Sequence, residues 1–189
     1  QGLHYSQISD GAFDITIGAA SSLWDFKSEE HLVPSEEAVT SSISHINYEC
    51  VEIQGTSVRL TDPDAMLDLG AIAKGYIADK MKEYFMKQAI KEAEKAYKKL
   101  EVPVGAIIVK DGKIIARAHN IKELKKSSIS HAEILAIEKA NKKLDAWRLE
   151  NCEMYITLEP CMMCMGAIIN SRIKKIYIGT LDPKTGSCK

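Results

Sequence analysis

Asp111-Gly112, set between the apolar runs "VPVGAIIV" and "KIIARAH", constrains this chain more than any other feature. Asp-Gly suits both central positions of a type I′ turn, where φ is positive, and that turn joins adjacent antiparallel strands. The spacing predicts a buried strand before Asp111 and a returning strand after Gly112. A helix is expected over residues 130–144, with Ile134, Leu135, Ile137 and Ala140 along one side. "MYITL" predicts another strand, residues 161–170 a helix, and "KKIYIG" a further strand. Strand, short crossover helix and strand imply parallel pairing with a right-handed connection. The sum is an α/β sheet with helices on both faces. "NIKELKKSSIS" reads as a polar loop between the hairpin and the first of these helices.

Upstream, "LDLGAIAKGYIADKMKEYFMKQAIKEAEKAYKKL" is helical in pattern over about thirty residues, with Gly75 inside it and no internal cap, long for a globular protein. Its second part repeats apolar residues at Tyr84, Phe85, Ala89, Ile90, Ala93, Ala96, Tyr97 and Leu100, which predicts one buried face. The charge balance flips inside this helix. Residues 1–80 hold 4 basic against 13 acidic residues, a balance of −9; residues 81–189 hold 21 against 13, a balance of +8. Two units with different partners are expected, the second suited to a polyanion. In the first, "SDGAFDITIG" predicts a turn and a short strand, and "PSEEAVTSSISHI" a helix capped by Ser35. "YECVEIQGTSVRLTD" predicts a hairpin about Gly55-Thr56. No core that would close these pieces is visible, so this half reads as part of something larger.

No apolar run approaches the roughly 20 residues of a membrane span. The opening "QGLHYSQISD" is polar, without a secretory pattern or an initiator methionine, and a fragment or processed end is expected. Five cysteines at irregular spacing argue against a disulfide framework and for a reducing, cytoplasmic setting.

Cys161 and Cys164, in "TLEPCMMCMGAIINS", form a Cys-x-x-Cys pair that fits redox chemistry, a structural metal clip or an active site. The pair opens a helix, whose positive end favours thiolates, the metal-binding form. The strand order differs from that of a thioredoxin-like redox protein. His131 opens another helix, and in open α/β sheets helix starts gather at the carboxyl ends of the strands. One His and two Cys leave zinc a fourth, open position, the mark of a catalytic site. Glu133, two residues on, could carry a proton to and from water held there. Each residue alone has a plainer explanation: Ser130 and Glu133 match a helix capping box, His131 an ordinary helix start, and the cysteines buried thiols. Cys152 and Cys188 read as spectators.

"HAE" at 131–133 with "PCMMC" at 160–164 resembles the zinc-dependent nucleoside deaminases, whose H-x-E and P-C-x-x-C signature is itself a textual match to this chain. "EVPVGAIIVKDGKIIARAHN", "AWRLENCEMYITLEPCMMCMGAIINSRIKKIYIG" and "DPKTGS" are similar to the bacterial tRNA adenosine deaminases. The resemblance covers residues 81–189. It implies a cytidine-deaminase-like three-layer α/β/α sandwich, shortened at its C-terminus, with Zn2+ on His131, Cys161 and Cys164. It also implies Glu133 as proton shuttle, Asn120 and Asp182 at the substrate nucleotide, tRNA as partner and a homodimer. Deamination of a free base such as guanine or cytosine is the alternative within the same chemistry. "NIKELKKSSIS" departs from the family's usual approach to the histidine, which bears on substrate choice. A missing C-terminal strand and helix would leave a sheet edge open.

Residues 1–80 resemble a different family. "SDGAFDITIG" and "LDLGAIAKGYIADK" are similar to the flavin transferases that move FMN from FAD onto a threonine of a target protein. By that resemblance Ala12, Phe13, Asp14, Asp68 and Lys74 match flavin-site positions, and Ala71 a position that gives an oxygen to Mg2+. The family's later Asp/Thr metal motif and its glycine-rich interior are absent. Ala71 alone makes an incomplete magnesium site, so this incomplete α+β fragment is expected to be inactive towards FAD and Mg2+. A join between two reading frames, at about residues 79–85, is expected; a flavin protein or an inactive chimeric chain are the other readings.

Overall fold

The structure is a computed structural model and describes residues 1–25 and 33–188. They fall into two compact units, Gln1–Ala78 and Asp79–Lys189.

In the first unit, α1 (Gly2–Ile8) and α2 (Gly18–Ser21) precede α3 (Glu36–Ile43). Ser35 caps α3 as its sequence implies, its side chain accepting from the Ala38 amide. A 3-10 turn, Tyr48–Cys50, leads into the hairpin β1 (Val51–Gln54) and β2 (Ser57–Leu60), closed about Gly55-Thr56. The short strand expected in "SDGAFDITIG" does not form. Both Asp14 carboxylate oxygens are committed to holding a turn: Oδ1 accepts from the Thr16 amide and hydroxyl, and Oδ2 from the Tyr48 amide. What remains is one parallel bridge between Ile17 and Met66. Among the described residues of this unit few apolar side chains are buried, Ile15, Ala20 and Ala65 being examples. Hydrogen bonds such as Asn47 amide to Thr16 hydroxyl (2.8 Å) and Asp68 amide to Ile15 carbonyl (2.8 Å) close the pieces instead. That is why no core is legible in this half.

The boundary falls inside the helix α4 (Gly70–Tyr97). The second unit continues with β3 (Gly105–Lys110), β4 (Lys113–His119), α5 (Lys122–Lys125) and α6 (Ala132–Leu144). It ends with β5 (Cys152–Leu158), α7 (Met162–Asn170) and β6 (Lys175–Thr180). Asp111 and Gly112 both have positive φ, 49° and 70°, as the hairpin requires. The sheet order is β4-β3-β5-β6; β3 is antiparallel to β4 and β5, and β5 and β6 are parallel. Alternation along the strands divides the core. Ala106, Ile108, Met154 and Ile156 pack with Ala132, Ala136, Ala140 and Ile168 of α6 and α7. Ile107, Val109 and Tyr155 pack with Phe85 and Ala89 of α4 on the opposite face. The arrangement is the three-layer α/β/α sandwich of the cytidine-deaminase-like fold.

Two expectations shift. The buried stripe of α4 is narrower than its apolar pattern: Phe85, Ala89, Glu92, Ala93 and Ala96 are buried, whereas Tyr97 and Leu100 are 70% and 93% exposed. Small side chains let the helix lie close on the sheet at Gly105, where an added Cβ would collide with the Ala89 carbonyl oxygen and the Ala93 nitrogen. Buried Glu92 fits because its carboxylate meets His119 Nδ1 and Lys95 Nζ. The loop "NIKELKKSSIS" contains the short helix α5, and its ends are drawn together by the Ile121 amide bonding the Ser130 carbonyl at 3.2 Å.

Candidate metal centre

His131 is the N-cap of α6 and Cys161 the N-cap of α7, and neither side chain caps its own helix. Their backbones only start the helices: the His131 carbonyl accepts from the Leu135 amide and the Cys161 carbonyl from the Met165 amide. The imidazole and the thiol are left to face one another. The Ser130–Glu133 capping box, the plainer alternative for these residues, does not form, because the helix begins one residue later. Cys164 lies one turn into α7 and is fully buried. The parallel pair β5 and β6 with its α7 crossover brings these helix starts to the carboxyl ends of the strands.

His131 Nδ1 lies 3.5 Å from Cys164 Sγ and 3.8 Å from Cys161 Sγ. All three donor atoms lie within 4.8 Å of one another. Tetrahedral zinc, with Zn–S near 2.3 Å and Zn–N near 2.0 Å, needs nitrogen–sulfur separations of about 3.5 Å. The donor set fits zinc and supplies three ligands, one short of a closed structural site. Burial pushes the Cys164 thiol far up, with the nearby Glu133 and Cys161 adding to it. Burial also raises the Glu133 carboxyl above the ordinary range, against opposing contacts from its own amide, Cys164 and His131. A cation held between the two sulfurs would oppose both shifts, since it favours thiolate and carboxylate. Glu133 is 4% exposed and reaches the same space.

These residues border a pocket of about 210 Å³ that also includes Asn120 and Asp182. Asn120 ends the hairpin: its amide bonds the Val104 carbonyl at 3.0 Å and it is buried. Asp182 follows β6, and its carboxylate accepts from the Lys184 amide and the Thr185 hydroxyl, bonds that hold it below the usual carboxylate range. Sequence reasoning missed two buried carboxylates. Glu101 bonds the Asn120 side chain, and Glu159 accepts from the Asp182 and Cys188 amides, both at 2.9 Å. Their partners are far apart in the chain, so spacing carries no sign of them. Lys122 and Thr185, also at the pocket, gave no sequence signal either.

In the first unit the segments that carry the flavin-like positions are adjacent. Asp68 accepts from the Ser21 hydroxyl at 3.0 Å and from the Gly70 amide at 2.8 Å. Phe13 is half-buried, whereas Ala12, Ala71 and Lys74 are exposed. Both Asp14 and Asp68 are engaged in local hydrogen bonds. A second group of potential ligands, His45, Asp62 and Asp64, lies in this unit, near the surface. Among the described residues no helix is long and apolar enough to cross a membrane.

Residues 1–94 match the ApbE family. A tRNA-specific adenosine deaminase of Bacillus subtilis is 56% identical over 104 residues, 55% of this chain and 65% of that protein. One of Aquifex aeolicus is 54% identical over 105 residues, 56% of this chain and 70% of that protein. The chain thus spans about two thirds of the length of these relatives. A structure from a study of A-to-I editing by tRNA:A34 deaminases at the wobble position of transfer RNA aligns with a TM-score of 0.54 at 43% identity. The alignment covers 55% of this chain and 75% of that one. Guanine deaminase from Bacillus subtilis aligns with a TM-score of 0.51 at 40% identity, covering 52% and 64%. Residues 79–180, which hold the His131, Cys161 and Cys164 cluster, match the cytidine and deoxycytidylate deaminase zinc-binding region, and the chain belongs to that family.

Proposed function

We propose that residues 81–189 form a deaminase domain that hydrolyses adenosine to inosine in tRNA, at the wobble position. Residues 1–80 are then a flavin-transferase-like fragment ahead of it. The observation that carries this reading is the meeting of His131, Cys161, Cys164 and Glu133 in one pocket with Asn120 and Asp182. The tRNA-specific relatives support the choice of substrate.

In this reading His131 Nδ1 and the two cysteine sulfurs hold Zn2+. When bound, zinc supplies a nucleophile at neutral pH by bringing the pKa of water towards 7. Glu133 would take up a proton from the attacking water and return it to the departing amine, so that adenosine and water give inosine and ammonia. Burial suits it to this, because a carboxyl shut away from bulk water is disfavoured in its charged form and takes up a proton more readily than an exposed one. Asn120 and Asp182 orient the flipped base, and the +8 balance of residues 81–189 draws the phosphate backbone. The reading includes a cytoplasmic homodimer.

The test is inosine formation on an anticodon stem-loop by the zinc-loaded protein, followed by mass spectrometry of digested nucleosides. Conversion of the loop adenosine, with free adenosine, guanine and cytosine left unchanged, is the expected result. Turnover of guanine without the stem-loop would replace this reading with a free-base deaminase, which the likeness to guanine deaminase favours. Flavin retained through purification would make the first unit functional, and FAD and Mg2+ its cofactors.

A further inference from the structure

Glu101 stands in the turn between α4 and β3, the first strand of the hairpin, and it is 4% exposed. No lysine or arginine pairs with it among the hydrogen bonds described. Three N–H donors do: the Asn120 side chain at 3.2 Å, the Glu123 amide at 3.1 Å and the Leu124 amide at 2.7 Å. A buried carboxylate retained on these terms needs all three, since each lost donor leaves charge unpaired. Two of the three are backbone amides in the first turn of α5, inside the segment that runs from Asn120 to His131.

The contact with Asn120 has a directional consequence. An ionised carboxylate only accepts, so the atom of the Asn120 amide that faces it is Nδ2, whichever way the amide would otherwise turn. Oδ1 and the second N–H are then presented in a fixed order. A planar amide with a fixed acceptor and donor matches one purine edge and opposes another. The same carboxylate pins the α5 turn that carries Lys122 to the pocket rim.

We propose that Glu101 is a positioning residue for substrate selection, locking the amide of Asn120 in one orientation and anchoring the 121–130 segment beside the metal centre. The inference rests on Asn120 meeting the base, as in the function proposed above. Glu101 touches no reacting atom; it acts through Asn120 and α5.

The substitution Glu101→Gln keeps size and shape but brings a donor where only acceptors stood, which lets the Asn120 amide turn over. On zinc-loaded protein we expect unchanged zinc content and a melting temperature lowered by a few degrees, the effect of a buried donor left unpaired. Turnover on the stem-loop, as kcat/KM, should fall by about 10²-fold, the scale of a misplaced binding group. In an Asn120→Ala background the same substitution should cause little further loss, because the residue it positions is gone. Side-chain amide NMR provides a readout independent of turnover. The Asn120 Nδ2 protons and the Glu123 and Leu124 amides should exchange with solvent markedly faster in Glu101→Gln. Losses that multiply in the double variant, or exchange and turnover equal to the unsubstituted protein, would overturn the proposal. Unsubstituted protein that forms no inosine would end the tRNA reading alone; the amide exchange would still decide the role of Glu101.

Discussion

His131 Nδ1 and Cys164 Sγ lie 3.5 Å apart although 33 residues separate them in the chain. Two helices begin side by side, each with a candidate metal ligand at or near its first residue, and each helix start contributes positive potential that favours thiolate. The ligands are held by the fold itself, and Glu133 comes to the same place because it is in the first turn of α6.

Glu133→Gln separates binding from chemistry. The amide keeps the shape of the side chain but cannot carry a proton, so zinc content should match the unsubstituted protein. Inosine formation should fall by about 10²- to 10⁴-fold, the usual share of a general acid–base group. Metal analysis and a single-turnover assay on the same preparation check both statements. Activity that survives the change would remove Glu133 from the proton path.

Gly105→Ala tests how closely α4 lies on the sheet. The new methyl would meet the Ala89 carbonyl oxygen and the Ala93 nitrogen, backbone atoms that have no rotamer in which to move aside. A loss of about 1–3 kcal/mol in urea unfolding is expected, the range of overpacked cores. A stability equal to that of the unsubstituted protein would mean that α4 stands further from β3 than described.

His45 and Asp62 form an ion pair at 2.9 Å in the first unit. The hydrogen bond to Asp62, with smaller contributions from the charges of Asp62 and Asp64, raises the His45 pKa above 6.5. Asp62 is lowered from 3.8, first by His45 and then by the Asp64 amide. A raised histidine stabilises below its unfolded pKa and stops doing so as pH rises through the folded one. A lowered carboxylate stabilises above its unfolded pKa and fails as pH falls through the folded one. The pair therefore acts fully only between about pH 4 and pH 6.5. Asp62→Asn should move the NMR titration midpoint of His45 down towards about 6.5; a midpoint that does not move would deny the pairing.

Much of the second unit was legible in the sequence because its signals are local. Asp111-Gly112 sets the hairpin, Val-Pro-Val-Gly-Ala-Ile-Ile-Val is apolar on both sides of a strand, and Cys161 follows a strand and a proline. The His131, Cys161 and Cys164 cluster was legible as residue types, since few other roles place His131 at one helix start and Cys161 and Cys164 at another. Where reading failed, a partner distant in sequence decided the outcome. Asp14 sits in an apolar alternating run, yet its carboxylate folds that run into a turn with Tyr48. Glu92 interrupts an apolar face and is buried against His119, 27 residues away. Glu101 and Glu159 act largely through backbone amides, which every sequence possesses and none advertises.

The most direct measurement is zinc per chain in purified protein, with Cys164→Ala prepared alongside. The account predicts about one bound ion for the unsubstituted chain and essentially none once that sulfur is removed. A chain that emerges metal-free from zinc-supplemented medium, or a variant that keeps its ion unchanged, would contradict the centre on which the deaminase assignment stands.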